Sequence, residues 1–472
     1  MEIEFDNATA WFKTENPRED DVVSILRERT KVMVTGAEYT PAFQKWKKSK
    51  GKYGWDGRAA ILGKKGDFPT GLLPNVVQWL WQTDKISPVL VDGRSCIFRQ
   101  EEVSVNLRGY QVEAINAGMT NSYNDMFWPR GIFHHATGGG KTEIAVAICE
   151  RMPIKTLFIV DKKSLAVQTI DRFNHYGIPC GKLFAGQMFL YENIVVATIQ
   201  TLISKCNVPE VYQLLQNAEQ VFFDEAHGIA SSFAKGNSFV QISSMMPNAF
   251  YRWGLTATPF MKDRFSNMLL AGATGAVLHS KSTKELIDEG VLVPPEIHIL
   301  KTPKMFKCPN KWPDCYDMGI ILNKGRTNRV IDALKRFPSP AIVLVKEVSH
   351  LKIIAEAAQK AGLNGTTLQG DDSLEVREIV LDHLKTGRIN YIITTLFGTG
   401  FDFPTLATVI IAKAGKSEIA TIQNVGRGLR KPKGKTKAYI IDFYDESSRT
   451  LKNHSEQRIE TYEAQGHTVN RE

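Results

Sequence analysis

The stretch His134-His135-Ala136-Thr137-Gly138-Gly139-Gly140-Lys141-Thr142 decides how the rest of the chain is read. A Trp128-Pro129 break and an apolar lead-in, Gly131-Ile132-Phe133, precede it, and an amphipathic run from Glu143 to Arg151 follows it. Strand, glycine-rich loop and helix in that order are the setting of a phosphate-binding loop. Thr137 and the glycines Gly138, Gly139 and Gly140 leave backbone N–H groups to wrap phosphate oxygens, and the helix start adds a favourable dipole. Lys141 has the reach for the β- and γ-phosphates of ATP, and the Thr142 hydroxyl suits Mg²⁺. The usual pattern has a glycine where His135 stands. The competing reading is a glycine-rich turn that ends in Gly-Lys-Thr by chance.

Downstream, short apolar runs alternate with helical patterns. Thr156–Val160, Ile194–Ala197 and Gln220–Phe223 read as buried strands, and the last runs straight into Asp224-Glu225-Ala226-His227. Such alternation predicts a doubly wound parallel sheet. Two acids directly after a strand lie at the carboxyl edge of that sheet, where α/β proteins bind ligands. There Asp224 suits the metal shell, and Glu225 suits orienting or deprotonating the attacking water. Upstream, Leu107-Arg108-Gly109-Tyr110-Gln111 opens a helical stretch. Tyr110 beside Gln111 suits adenine, by stacking and by an amide contact to the base edge; a surface glutamine on a helix is the plain alternative.

The bulk properties agree with a nucleic-acid partner without requiring one. The chain has 472 residues, 43% apolar and 23% charged, with a formal charge of +9 and a pI near 9.0. That length accommodates about three domains. No apolar run is long enough to span a bilayer, and Met1-Glu2-Ile3-Glu4-Phe5-Asp6 does not read as a signal peptide, so a cytoplasmic protein is expected. The six cysteines, at 96, 149, 180, 206, 308 and 315, include no Cys-x-x-Cys pair and are expected to be reduced thiols.

Residues 1–100 differ in texture and are expected to form a separable α+β accessory domain. Between Pro41 and Gly66 there are eight Lys or Arg and one acid, Asp56. Lys45, Lys47, Lys48, Lys50, Lys52 and Arg58 are interleaved with Trp46, Tyr53 and Trp55. Cations neutralise phosphates and aromatic faces stack on bases, so the cluster predicts a nucleic-acid contact. For the aromatics, a place in the core is at least as good a reading.

The second half repeats the strand–helix texture. A helix is expected over Thr283–Gly290, a linker over 281–295, and buried strands at Ala341–Val345, Tyr391–Thr395 and Val409–Ile411. A second sheet domain over 296–445 and a terminal helical segment over 446–472 complete the expected plan. About twenty residues separate Asp402 from Gln423, which leaves no room for a long strand-separating hairpin between them.

Gly-Gly-Gly-Lys-Thr, Asp-Glu-Ala-His, Thr256-Ala257-Thr258 and Gln423-Asn424-Val425-Gly426-Arg427-Gly428-Leu429-Arg430, in this order, resemble the motif series of superfamily 2 helicases. The resemblance implies two tandem RecA-like domains and ATP hydrolysis with Mg²⁺. It places Gln423, Arg427 and Arg430 toward the nucleotide, with Gly400 and Asp402 also on the nucleotide side. It puts Lys162, Lys163, Thr198, Gln200, Thr394 and Thr395 on nucleic acid. In the front segment, Tyr53-Gly54-Trp55-Asp56-Gly57-Arg58 followed by Gly71-Leu72-Leu73 is similar to phage branch-migration helicases of the UvsW kind. That similarity implies a monomeric or weakly associating double-stranded DNA helicase acting on forks, Holliday junctions and R-loops in the host-cell cytoplasm. An RNA helicase, or a duplex translocase that does not unwind, is the alternative within the superfamily. Intact Lys141, Asp224, Glu225, Gln423, Arg427 and Arg430 speak against a degenerate motor that only binds.

Overall fold

A computed structural model describes residues 1–34, 36–95, 105–226, 238–258, 264–396, 403, 405–417, 425–426, 428–432 and 434–472. The chain divides into two compact units, 1–135 with 140–280, and 136–139 with 281–472.

The first unit holds an eight-stranded sheet. Its order in space is Gln187–Phe189, Cys180–Phe184, Ile194–Thr198, Thr156–Val160, Gln220–Asp224, Tyr251–Thr256, Arg130–His135, Val277–Lys281. The strands from Cys180–Phe184 to Arg130–His135 run parallel to one another, while Gln187–Phe189 pairs antiparallel with Cys180–Phe184. Thr156–Val160 and Ile194–Thr198 are buried at every position, as strands covered on both faces must be, and this explains their unbroken apolar sequences. Helices Lys141–Arg151 and Lys163–His175 cover one face through Ile144, Val146, Ile148, Ile170 and Phe173.

The second unit carries a seven-stranded sheet in the order Gly365–Leu368, Tyr391–Thr394, Ala341–Leu344, Thr408–Ile411, Ala438–Tyr444, Pro295–Lys301, Val469–Arg471. All of these neighbours are parallel. The C-terminal segment forms the helix Arg449–Ala464 and then adds the edge strand Val469–Arg471, which the sequence reading did not anticipate. Buried ion pairs fasten that helix and the sheet's carboxyl edge: Arg458 to Asp442 at 2.8 Å and Arg326 to Asp445 at 2.8 Å. Each guanidinium also meets carbonyl oxygens, Ala412 O for Arg326 and Phe443 O for Arg458, so neither buried charge is left unsolvated.

The front segment forms a four-stranded sheet, Asp67–Pro69, Thr9–Lys13, Glu2–Phe5, Val89–Asp92. Its helices have legible starts. Asn16 and Thr40 accept N–H groups at the heads of Pro17–Arg29 and Pro41–Lys48, and both helices begin with proline. This segment is not separable from the first large sheet. One apolar cluster joins Ile3, Phe5, Phe68, Leu72 and Leu80 to Trp128, Phe265, Met268 and Leu269. Asn7 Nδ2 donates to Pro247 O at 2.9 Å, and the buried Arg130 donates to Asn7 O. Gly71 lies so close to the helix Arg264–Thr274 that a Cβ there would stand 2.3 Å from Ala271 O. The expectation of an independent domain over 1–100 therefore gives way to a subdomain sharing the first unit's core.

Candidate active site

The phosphate loop leaves the strand Arg130–His135 and enters the helix Lys141–Arg151, as its sequence predicts. Gly138 and Gly140 take left-handed backbone conformations, at φ +86° and +69°. Gly140 also needs its missing side chain, because a Cβ would stand 2.2 Å from Gln111 Nε2. Lys141 Nζ donates to His135 O at 3.1 Å, so the ammonium already lies folded over the loop.

Gln111 is buried and tied to backbone. Its Oε1 accepts from Arg108 N at 2.8 Å, and its Nε2 donates to Gly140 O at 3.2 Å. At 2% exposure its amide is as closed off as the neighbouring Tyr110. Gln111 thus positions the phosphate loop, a role the sequence reading missed. Tyr110 does not stand open for adenine. It is 4% exposed, and its ring packs 5.7 Å from that of His135, which makes it a core aromatic beneath the loop.

Two histidines that the sequence reading left without a role brace the same loop. His134 Nε2 lies 3.1 Å from Ala257 O and its Nδ1 lies 3.2 Å from Ser280 Oγ. A carbonyl can only accept, so Nε2 carries the proton and Nδ1 accepts from the serine. Burial, against the pull of the Ala257 carbonyl, holds this imidazole below its usual range, and Lys141 pushes the same way as burial. A neutral His134 therefore links the phosphate-loop strand to the Thr256-Ala257-Thr258 turn. His135 is fully buried and pairs with His279 Nδ1 at 2.8 Å, where the usual pattern has glycine.

Asp224 ends its strand and Glu225 follows it at φ +47°, a left-handed conformation that costs a non-glycine residue free energy. Burial and the neighbouring Glu225 carboxylate raise the Asp224 pKa well above the usual carboxylate range, while Lys141 pulls it down. A carboxylate placed this way is poorly solvated as an anion and well suited to a cation.

The residues expected on nucleic acid divide by burial. Lys162, Lys163 and Gln200 are exposed at the carboxyl edge of the first sheet, and Gln200 Nε2 donates to Asp161 Oδ1 at 2.9 Å. Thr198 is buried with its hydroxyl 2.8 Å from that of Thr201, and Thr394 is fully buried and accepts from Leu396 N at 2.9 Å. Both threonines shape their turns and offer no open surface; Thr395 is half-buried. Arg430 is half-buried, and its backbone bridges to Leu292. Gly400, Asp402, Gln423 and Arg427 lie outside the described residues. In the front subdomain Lys45, Lys47, Lys48, Lys50, Lys52 and Arg58 are all exposed. Of the aromatics there, Trp46 packs on Phe43 and Trp55 donates to Arg58 O, while Tyr53 is 67% exposed.

Comparison with known proteins agrees with this geometry. Residues 104–261 match the family model described as type III restriction enzyme, res subunit, and residues 325–432 match that of the helicase conserved C-terminal domain. The ATP-dependent DNA helicase uvsW of Enterobacteria phage T4 is 25% identical over 90% of this chain and 88% of its own. Putative helicase 22 of Sulfolobus islandicus filamentous virus is 26% identical over 71% of this chain and 64% of its own. Among solved structures, the DNA-bound type ISP restriction-modification enzyme LlaBIII superposes at a TM-score of 0.57 and 16% identity, over 80% of this chain and 32% of that one. Dbp5 of S. cerevisiae, bound to RNA and ADP BeF3, superposes at 0.56 and 15%, over 84% of this chain and 93% of that one, so the two tandem sheets have the helicase fold. With a phosphate loop and an acid pair at the carboxyl edge of the first of two parallel sheets, and both helicase models matched in order, the chain is an ATP-dependent helicase of superfamily 2 that resembles those of the UvsW kind.

Proposed function

We propose that this chain is a monomeric DNA helicase that uses ATP to translocate on branched DNA and remodel it at forks, Holliday junctions and R-loops, in phage replication, recombination and repair in the host-cell cytoplasm. The observation that carries the branched-DNA reading is the front subdomain's basic helix. Pro41–Lys48 and the turn after it hold five exposed lysines on a body that shares its core with the first motor sheet. A grip on duplex phosphates is thereby joined to the ATPase by packing and not by a flexible tether.

In this reading Gly138, Gly139, Gly140 and Lys141 hold the phosphates, and Gln111 sets the backbone of the loop that does so. The donors available to Mg²⁺ are hard oxygens, the Thr142 hydroxyl and the Asp224 carboxylate, whose raised pKa fits a cation partner. The ion would supply charge neutralisation on the β- and γ-phosphate oxygens. Glu225 takes the proton of the attacking water. Gln423, Arg427 and Arg430 are assigned to the γ-phosphate, where a planar, permanently charged fork suits phosphate oxygens.

The test is the quadruple variant Lys47, Lys48, Lys50 and Lys52→Gln, titrated against a four-way junction at several salt concentrations. Each lost phosphate contact lowers the slope of log affinity against log salt by about 0.9. The expected result is weaker junction binding with a shallower slope, while ATP turnover at saturating single-stranded DNA stays near wild type. Affinity and slope both equal to wild type would remove the DNA-gripping role.

A further inference from the structure

The segment between the strand Pro295–Lys301 and the helix Lys324–Arg336 presents a wholly apolar ring to solvent. Phe306 is 85% exposed, at a turn where Lys307 takes a left-handed backbone conformation at φ +60°. From Pro303 to Trp312 the sequence is Pro-Lys-Met-Phe-Lys-Cys-Pro-Asn-Lys-Trp, with three lysines and no acid. Lys307 Nζ stands 5.5 Å from the centre of the Phe306 ring. Lys304 is paired with Glu446 at 3.3 Å, while Lys307 and Lys311 are exposed. The nearest acids in sequence, Asp314 and Asp317, follow beyond Trp312.

The base of this turn is fastened on both sides. Asn323 Nδ2 donates to Pro303 O at 2.9 Å, Met305 N donates to Ser447 Oγ at 2.9 Å, and Arg449 N donates to Asn310 Oδ1 at 2.9 Å. The ring of Trp312 packs 4.9 Å from that of Tyr316 and 5.3 Å from that of His454. Lys346 Nζ sits 5.1 Å from the Tyr316 ring. The exposed ring is therefore held out by a rigid base.

Its place in the fold is equally specific. The second sheet is parallel throughout its described neighbours, so the segments after Lys301, Leu344, Thr394 and Ile411 all emerge at one carboxyl edge. That edge carries Thr395, Lys346 and, beyond Ile411, Lys413 and Lys416, together with the Phe306 turn. An aromatic face flanked by cations is the combination that single strands need, stacking for a base and charge for its phosphates.

Resting on the helicase reading above, we infer that the 303–312 turn is a strand-binding site in which Phe306 stacks on an unpaired base at the branch point and Lys307 and Lys311 hold the adjoining phosphates. It supplies a base-stacking element from the start of the second domain, in a chain whose short interval between Asp402 and Gln423 has no room for a long strand-separating hairpin.

The experiment uses the full chain and a forked DNA carrying 5-iodouracil along its unpaired arm. Ultraviolet cross-linking with peptide mapping is expected to recover the peptide containing Phe306. Phe306→Ala should lose that cross-link and bind the unpaired arm on the order of tenfold more weakly, with little dependence on base sequence. Phe306→Trp should restore both. Melting temperatures equal to wild type are expected for both variants, because the ring contributes to no core. Cross-links that map elsewhere, with Phe306→Ala binding as tightly as wild type, would overturn the site and leave the ring to a protein partner. If the wild-type chain neither binds the fork nor turns over ATP with it, the helicase reading itself fails, and the site with it.

Discussion

Truncation of residues 1–104 is expected to destroy the first motor domain rather than release it. The cut uncovers Trp128, Phe265, Met268 and Leu269, which are between 3% and 9% exposed in the intact chain. Burying a large apolar side chain contributes about 1.5–3 kcal/mol, so these four together contribute roughly 6–12 kcal/mol. That is comparable to the whole stability of a typical domain, about 5–15 kcal/mol. The buried Arg130 would also lose its acceptor, Asn7 O. A gentler probe keeps every residue in place. Gly71→Ala puts a Cβ 2.3 Å from Ala271 O and 2.6 Å from Gly272 O, backbone atoms that cannot step aside as a flexible side chain would. Overpacking of this kind costs about 1–3 kcal/mol, and for a domain of this size the melting temperature should fall by roughly 2–12 °C. The assays are calorimetry and single-stranded-DNA-stimulated ATP turnover on the full chain, on Gly71→Ala and on 105–472. A soluble 105–472 with a cooperative melt and full turnover, together with a Gly71→Ala melt equal to wild type, would refute the shared core.

Lys141→Ala should abolish ATP turnover and spare DNA binding; Glu225→Gln should keep nucleotide and metal binding and stop hydrolysis. Nucleotide-binding and phosphate-release assays separate the two, and equal loss of binding and turnover in Glu225→Gln would count against a water-activating role. Glu225→Gly should lose hydrolysis as well yet gain about 1 kcal/mol of stability, since glycine adopts φ +47° without steric cost. The Asp224 carboxyl, lifted to about 7 by burial and Glu225, is protonated below that pH in the ligand-free protein. A folded-state pKa above the unfolded value means its contribution to stability is present in acid and is lost as pH rises from about 4 toward 7. Magnesium–ATP must displace that proton, so affinity should rise with pH up to about 7, with about one proton released per nucleotide bound near pH 6 and little near pH 8. Calorimetric titration in two buffers reads the proton count, and Asp224→Asn should flatten it.

The features legible in the sequence were local. Gly138–Gly140 with Lys141 and Thr142, and Asp224-Glu225 at the end of an apolar run, are each specified within a few residues. Their spacing alone places them on a loop and at a strand end. The parallel-sheet class followed from strands such as Thr156–Val160, whose sequence is apolar at every position because both faces are covered. That same uniformity hid which strand-end residues open to solvent. Thr198 and Thr394 look like Thr395 in sequence, and only the folded chain decides that the first two are buried. Gln111 meets Gly140 across 29 positions, and His134 meets Ala257 across 123, so no window of sequence contains either bond. The front subdomain was misjudged for the same reason. Its composition differs from the motor's, yet Leu72 and Phe68 find their partners in Phe265 and Leu269, nearly two hundred residues away. Burial is a property of pairs that the chain brings together only on folding, and it falls to the tertiary structure to say which polar groups remain for ligand and which are consumed in holding the site.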